Sequence, residues 1–196
     1  VPPLILASGS PRRLDLLARI GVVPAAIDPA DIDETPARAE VPAPYAARMA
    51  AAKAAATAAR HPQALILAAD TVVAAGRRIL PKAEDEATAR TCLQLLSGRR
   101  HRVLTALTLI DAAGKPRHRL SASIVAFKAL TTAEIEAYLR SGEWQGKAGG
   151  YAIQGRAEAF VRFLSGSHSG VVGLPLFETR ALLVAAGYPV DGPLFG

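Results

Sequence analysis

The first stretch able to do chemistry is Ser8-Gly9-Ser10-Pro11-Arg12-Arg13, two hydroxyls and two guanidiniums around a turn. Gly9 admits backbone conformations barred to other residues. Ser10 suits a helix N-cap and Pro11 a first helical position. A helix start offers unpaired N–H groups and the positive end of its dipole, which together attract an anion. Arginine adds a two-pronged donor that matches phosphate. Arg12 and Arg13 are successive and leave the helix on different faces, yet both reach past its first turn. The spacing is neither G-x-x-x-x-G-K-[ST] nor G-x-G-x-x-G. The plainer alternative is a capped helix with two solvated arginines.

The second stretch is Asp70-Thr71, directly after the apolar run Leu65-Ile66-Leu67-Ala68-Ala69. A carboxylate at the end of a buried strand is costly unless it is paired, metal-bound or put to use. Ligands of open α/β sheets bind outside the carboxyl ends of the strands. Asp70 and the Ser8 turn therefore share one rim if their strands run parallel. The alternative is a turn or cap aspartate. In Asp31-Ile32-Asp33-Glu34, extended backbone puts the two aspartates on one side and Ile32 and Glu34 on the other. Mg²⁺ takes one or two carboxylates plus substrate phosphates, although a solvated acidic loop is the commoner meaning of such a run. Lys53 lies in an Ala-rich helix and Lys82 after Leu80-Pro81, and most lysines are surface residues. In the segment 146–155, glycines permit close approach to a ligand, Tyr151 offers a ring for stacking, and Gln154 both donates and accepts. Ser167-His168-Ser169 is a further polar cluster, but no G-x-S-x-G elbow accompanies it.

The elements that must position these groups follow from patterning. Leu4 to Ala7 reads as a buried strand, with a helix from Pro11 closed by Gly21. Residues 28–44 are rich in proline and acid and read as a loop with at most a short strand. Helices are expected over Tyr45–Arg60, Asp85–Ser97, 131–142 from the capping box Thr131-Thr132-Ala133-Glu134, and Leu176–Ala186. Strands are expected over 65–69, which runs into Asp70-Thr71-Val72-Val73, and over 78–80, 103–110, 118–127 and 160–164, with a hairpin at Asp111-Ala112-Ala113-Gly114. The loops 28–44 and 143–155 are long for plain connectors, and such loops are often functional. The fold class is α/β with a mixed sheet, and the 196 residues fit a single domain over 1–196.

Composition narrows the function. Half the residues are hydrophobic and a fifth charged, which is globular rather than disordered. Cys92 is the single cysteine, so no internal disulfide or Cys-based zinc site can form, and a reducing cytosol is expected. No apolar run has the length to span a bilayer, and the N-terminus reads as a strand rather than a signal peptide. The net charge of +6 favours anionic partners. Few aromatics and no nucleic-acid module argue against a stable nucleic-acid partner.

Taken together, several segments resemble the Maf family of nucleoside triphosphate pyrophosphatases. They are Leu6-Ala7-Ser8-Gly9-Ser10-Pro11-Arg12-Arg13, Ala69-Asp70-Thr71-Val72-Val73, Leu95 and Ser97-Gly98 with His101, Lys147-Ala148-Gly149 through Ile153-Gln154-Gly155, and Val172-Gly173-Leu174-Pro175-Leu176. The resemblance implies an α/β fold like that of inosine triphosphate pyrophosphatases, with flanking helices on a twisted sheet and two lobes around a cleft. It implies a cytoplasmic homodimer, a divalent cation (Mg or Mn), and cleavage of an NTP to a monophosphate and pyrophosphate in housecleaning of nucleotide pools. By position, Asp70 resembles the proton acceptor, and Arg12, Thr71 and Gln154 the residues that tune substrate choice. Ser8, Arg13, Glu34, Lys53 and Lys82 resemble the remaining polar pocket residues, with Glu34 and Asp70 as the metal carboxylates. Asp70 as base and Asp70 as metal ligand, with Glu34 the base, both remain open. Tyr151-Ala152-Ile153-Gln154 is similar to the dTTP/UTP branch rather than the 7-methyl-GTP branch. The other alternative is a non-catalytic nucleotide- or nucleic-acid-binding regulator. Two departures from the family pattern are Pro81 preceding Lys82, with Ala83 after it, and an acidic loop one residue longer.

Overall fold

The apolar run Leu65–Ala69 does not stop at Asp70. In the computed structural model, which describes residues 1–190, it continues as one strand to Ala75. Val72, Val73 and Ala74 are as buried as the residues before the aspartate, so the apolar run resumes after it. Asp70 is therefore an interior residue of a long strand, not its terminal one.

The elements run β1 (Leu4–Leu6), α1 (Pro11–Arg19), β2 (Ala26–Ile27), α2 (Pro42–Ala58), β3 (Leu65–Ala75), β4 (Arg78–Leu80) and α3 (Glu86–Leu96). They continue with β5 (Arg100–Ile110), β6 (Pro116–Phe127), α4 (Thr132–Ser141), a 3-10 turn at Arg156–Phe160, β7 (Val161–Ser165), α5 (His168–Val172) and α6 (Leu176–Ala185). The sheet order is β2-β1-β3-β5-β6-β7, with β4 also on β3. β1 pairs parallel with β2 and β3, and the remaining pairs are antiparallel. The sheet is thus mixed, as expected. β2, α5 and the 3-10 turn were not expected. β7 begins at Val161, since Phe160 closes the 3-10 turn.

Register explains where the fold opens. β5 covers one edge of β3 from Ile66 to Ala74. On the other edge β1 pairs only with Leu65, Ile66 and Leu67, and β4 only with Val73, Ala74 and Ala75. Between them β1 leaves the sheet for the Ser8 turn. Residues 68–72 of β3 consequently face a gap in the sheet edge, and that gap is the cleft between two lobes. Side-chain alternation sends Ile66, Ala68 and Val72 toward α2, and Leu65, Leu67, Ala69 and Val73 into the larger core. By the same period Asp70 faces α2 and Thr71 the opposite side.

α2 presents Ala46, Met49, Ala50, Lys53, Ala54 and Thr57 as its buried stripe. The spacing is that of one helix face, and its alanines let the helix lie close to the sheet. Lys53 falls inside this stripe, so the helical period aims a cation at the interior. No helix among the described residues is long and apolar enough to cross a membrane.

Candidate active site

A cleft of about 280 Å³ opens at the gap in the β3 edge. Its walls include Ser8, Arg12, Arg13, Glu34, Lys53, Asp70, Thr71, Lys82 and Gln154, the residues that the family resemblance assigned to the site, whereas Asp31, Asp33 and Ser167-His168-Ser169 lie off it. The Ser8 turn and Asp70 line the same cavity because β1 and β3 are parallel neighbours and β1 ends first.

At its floor, Lys53 Nζ lies 2.6 Å from Asp70 Oδ1 and 2.7 Å from Glu34 Oε1. Lys82 closes the chain on Glu34 Oε2. Asp70 and Lys53 are 5% and 8% exposed. Ions so far from water persist only when paired, because desolvation costs several kcal/mol per charge. Burial works to raise the Glu34 carboxyl, but the hydrogen bonds from Lys53 and Lys82 outweigh it and hold it at about 2. Asp70 uses Oδ1 for Lys53, and Oδ2 has no protein partner among the described residues. Both Glu34 oxygens, by contrast, are engaged. The acidic loop alternates as its spacing implied. Ile32 packs on the α2 side of the sheet, Asp33 turns outward to cap Thr35, and Glu34 points inward. The Tyr45 hydroxyl donates to the Glu34 carbonyl at 2.7 Å and ties this loop to α2.

Arg13 is held by three acceptors. Nε donates to the Gly173 carbonyl at 2.8 Å, Nη1 to Ser8 Oγ at 2.9 Å, and Nη2 to Thr71 Oγ1 at 3.3 Å. Desolvation lowers its pKa to about 10, against the opposing pull of Asp70, and it stays charged at neutral pH. Arg12 is also lowered by desolvation and makes no hydrogen bond to the described residues. Lys147, on the opposite lobe, lines the cleft, and its pKa is lowered by desolvation and by the nearby Arg12. It was not among the expected site residues. Its signals were its place in a glycine-rich loop read as ligand-facing and in the Lys147-Ala148-Gly149 stretch of the family resemblance.

The departure at Pro81 does not turn Lys82 away. Lys82 bridges antiparallel to Ala148, the Ala83 N–H donates to the Lys147 carbonyl, and the Gly149 N–H donates to the Pro81 carbonyl. The segment around Lys82 is thereby stitched to the glycine-rich loop. Gly149 has φ +68, and a Cβ there would meet Val73 Cγ1 at 2.8 Å, which explains the glycine. Gln154 is exposed at the cleft wall. Tyr151 is not free to stack on a ligand. Its ring lies edge-on to Phe127 and His101, its hydroxyl meets His101 Nε2 at 2.7 Å, and it is 6% exposed. Ser167 and Ser169 are structural: Ser167 caps α5 through the Gly170 N–H, and Ser169 Oγ accepts from the Leu176 N–H.

The described residues contain no group of three or more His, Cys, Asp or Glu placed to hold a metal ion. The carboxylates that converge are Glu34 and Asp70, and in this structure they share the Lys53 ammonium.

The mixed sheet with flanking helices is the inosine triphosphate pyrophosphatase-like fold expected from the sequence. It superposes on a HAM1 protein from Coxiella burnetii with a TM-score of 0.55 over 94% of this chain and 100% of the other. At 15% identity that likeness concerns the fold alone. The sequence is more specific: the family model described as Maf-like protein matches residues 3–186, and the chain belongs to that family. It is 67% identical over 186 residues to a dTTP/UTP pyrophosphatase of Rhodospirillum rubrum, covering 95% of this chain and 89% of the relative. It is 63% identical over 188 residues to a dTTP/UTP pyrophosphatase of Zymomonas mobilis, covering 96% and 93%.

Proposed function

We propose that this chain hydrolyses dTTP and UTP to the nucleoside monophosphate and pyrophosphate. The observation that carries the reading is the cleft itself, where five cations (Arg12, Arg13, Lys53, Lys82 and Lys147) meet two carboxylates. That surplus of positive charge suits a polyphosphate. The family and the relatives named above support the bond that is cut and the bases preferred.

Cleavage between the α- and β-phosphates needs little covalent chemistry from a protein, and positioning with charge neutralisation does most of it. Arg13 is held rigid by Ser8, Thr71 and Gly173, so its remaining guanidinium N–H donors are fixed in direction before the substrate arrives. Lys53 and Lys82 neutralise Glu34 and Asp70 in the free protein and can turn to phosphate oxygens in the complex. Asp70 orients a water through its unengaged Oδ2 and takes its proton as oxygen attacks the α-phosphorus. Asp70 suits this role because its Oδ2 is unengaged before the substrate arrives, which leaves Glu34 for the cation once Lys53 and Lys82 turn to phosphate.

A divalent cation fits the donor set. Mg²⁺ or Mn²⁺ takes one or two carboxylates and completes its shell with phosphate and water. Glu34 and Asp70 already converge on one cationic centre, the Lys53 ammonium. Glu34 would be the principal protein ligand, with Asp70 adjoining it. When bound, the cation supplies charge neutralisation on the phosphate oxygens. We also assign this chain a homodimeric state and a cytoplasmic place of action, on the family resemblance.

The test is a panel of nucleoside triphosphates, 7-methyl-GTP included, with Mg²⁺ or Mn²⁺ and with chelator. Pyrophosphate should be the primary product, dTTP and UTP the preferred substrates, and chelator should abolish turnover. Orthophosphate as the primary product, or binding without turnover, would refute the reading.

A further inference from the structure

The hydroxyls behind Arg13 can be assigned a direction. Thr71 and Thr105 are directly paired across the β3–β5 ladder, and their Oγ1 atoms lie 2.9 Å apart. Thr105, 1% exposed, is also 2.7 Å from the Gly170 carbonyl in α5. A carbonyl can only accept, and a threonine has one hydroxyl proton. The Thr105 proton therefore goes to Gly170, and Thr71 must donate its own to Thr105. Arg13 Nη2 donates to Thr71 from the other side. The Thr71 proton is spent inward, and its oxygen faces the cleft with a remaining lone pair and nothing to donate.

Close approach of α5 makes this possible. A Cβ on Gly170 would meet Ser121 Oγ and Ser167 Cβ at 3.1 Å, and one on Gly173 would stand 3.7 Å from Thr71 Oγ1. The small residues let backbone carbonyls of this segment reach both Thr105 and Arg13.

We infer that Thr105 is a positioning residue for base selection: by locking Thr71 as an acceptor, it makes the cleft demand a donor from the ligand at that point. The inference rests on the proposed pyrimidine substrates. In uracil and thymine the free N–H of the ring is the N3 imino group, whereas cytosine presents an unprotonated N3. Acceptor facing acceptor is repulsive, so the lock favours the keto pyrimidines. The 3′-hydroxyl is the sugar donor that dTTP and UTP share, and the test separates it from the base.

Equilibrium binding of UMP, CMP and 3′-deoxy-UMP is measured by calorimetry on the wild type, Thr105→Val, Thr105→Ser and Thr71→Val. This readout does not need turnover, so it fails or succeeds separately from the hydrolytic reading. The wild type should prefer UMP to CMP and hold 3′-deoxy-UMP as well as UMP. Thr105→Val frees the Thr71 hydroxyl to rotate and should cut the UMP preference about tenfold, the scale of one hydrogen bond. Thr105→Ser keeps the donor and should keep the preference. Thr71→Val removes the acceptor itself and should erase the preference even if Thr105→Val does not fold. Equal loss for UMP and CMP in Thr105→Val, an unchanged preference in Thr71→Val, no wild-type preference, or weakening confined to 3′-deoxy-UMP would each overturn the assignment.

Discussion

Lys53→Met is the sharpest perturbation of the site, because it removes one atom that two carboxylates share. Methionine keeps the length and apolar body of the side chain, so the Ala-rich face of α2 still packs. What is lost is the ammonium at 2.6 Å from Asp70 and 2.7 Å from Glu34. Removing one partner of a buried pair leaves a bare charge and typically costs about 3–5 kcal/mol. The Glu34 side chain is 35% exposed and keeps Lys82, so its share is screened by water. The loss should therefore fall at the low end, about 3 kcal/mol, or about 9 °C in Tm for a chain of this size. The assay is thermal and urea unfolding near neutral pH for Lys53→Met, Asp70→Asn and the double variant. Neutralising Asp70 in the methionine background should recover part of the loss, since the stranded charge is gone. A Tm for Lys53→Met within about 2 °C of the wild type, or no recovery in the double variant, would refute the coupling and its energetic argument.

Asp70→Asn should lower turnover by roughly a hundred- to ten-thousandfold, the range of a lost general base, while nucleotide affinity measured by calorimetry largely survives. His101 is buried and its pKa is pushed down to about 4, so between pH 6.5 and about 4 the unfolded chain binds a proton that the native state refuses. Stability should fall across that acid window by about 3 kcal/mol, and urea titrations of His101→Gln should show a shallower slope there. Gly149→Ala forces a left-handed φ on alanine and drives its Cβ into Val73. About 3 kcal/mol of stability should be lost in chemical denaturation, with KM raised as the Lys82 and Gln154 segments shift. Arg13→Lys keeps the charge but not the fork that serves Ser8, Thr71 and Gly173. Its kcat/KM for UTP should drop far more than its Tm.

The site was legible where residue type and period agree. The serine–arginine turn announces itself through Gly9, Ser10 and Pro11, and the Asp70 carboxylate through the apolar residues before it. Glu34 came from the family resemblance alone, since alternation in the acidic loop only set it beside Ile32 and apart from the two aspartates. Local patterning could not show that β3 runs on past Asp70, because a charged residue inside an apolar strand looks like its end. The shortness of β1 and β4 opens the sheet edge, and only tertiary pairing sets that. Nor did sequence place Tyr151, whose hydroxyl is met by His101 from a strand fifty residues earlier. Thr105 carried no signal at all. It reads as one more β-branched strand residue, and its role depends on the Gly170 carbonyl, sixty-five positions away. α5 was missed for the ordinary reason that five residues with one glycine in their middle and another just after them have little helical pattern of their own.

The phosphorus atom to which water adds distinguishes attack at the α-phosphate from attack at the β- or γ-phosphate. Hydrolysis of UTP in ¹⁸O-labelled water, followed by mass spectrometry of the products, reads this directly. Water oriented by Asp70 onto the α-phosphorus places the label in UMP and leaves pyrophosphate unlabelled. Label in pyrophosphate or orthophosphate would contradict it.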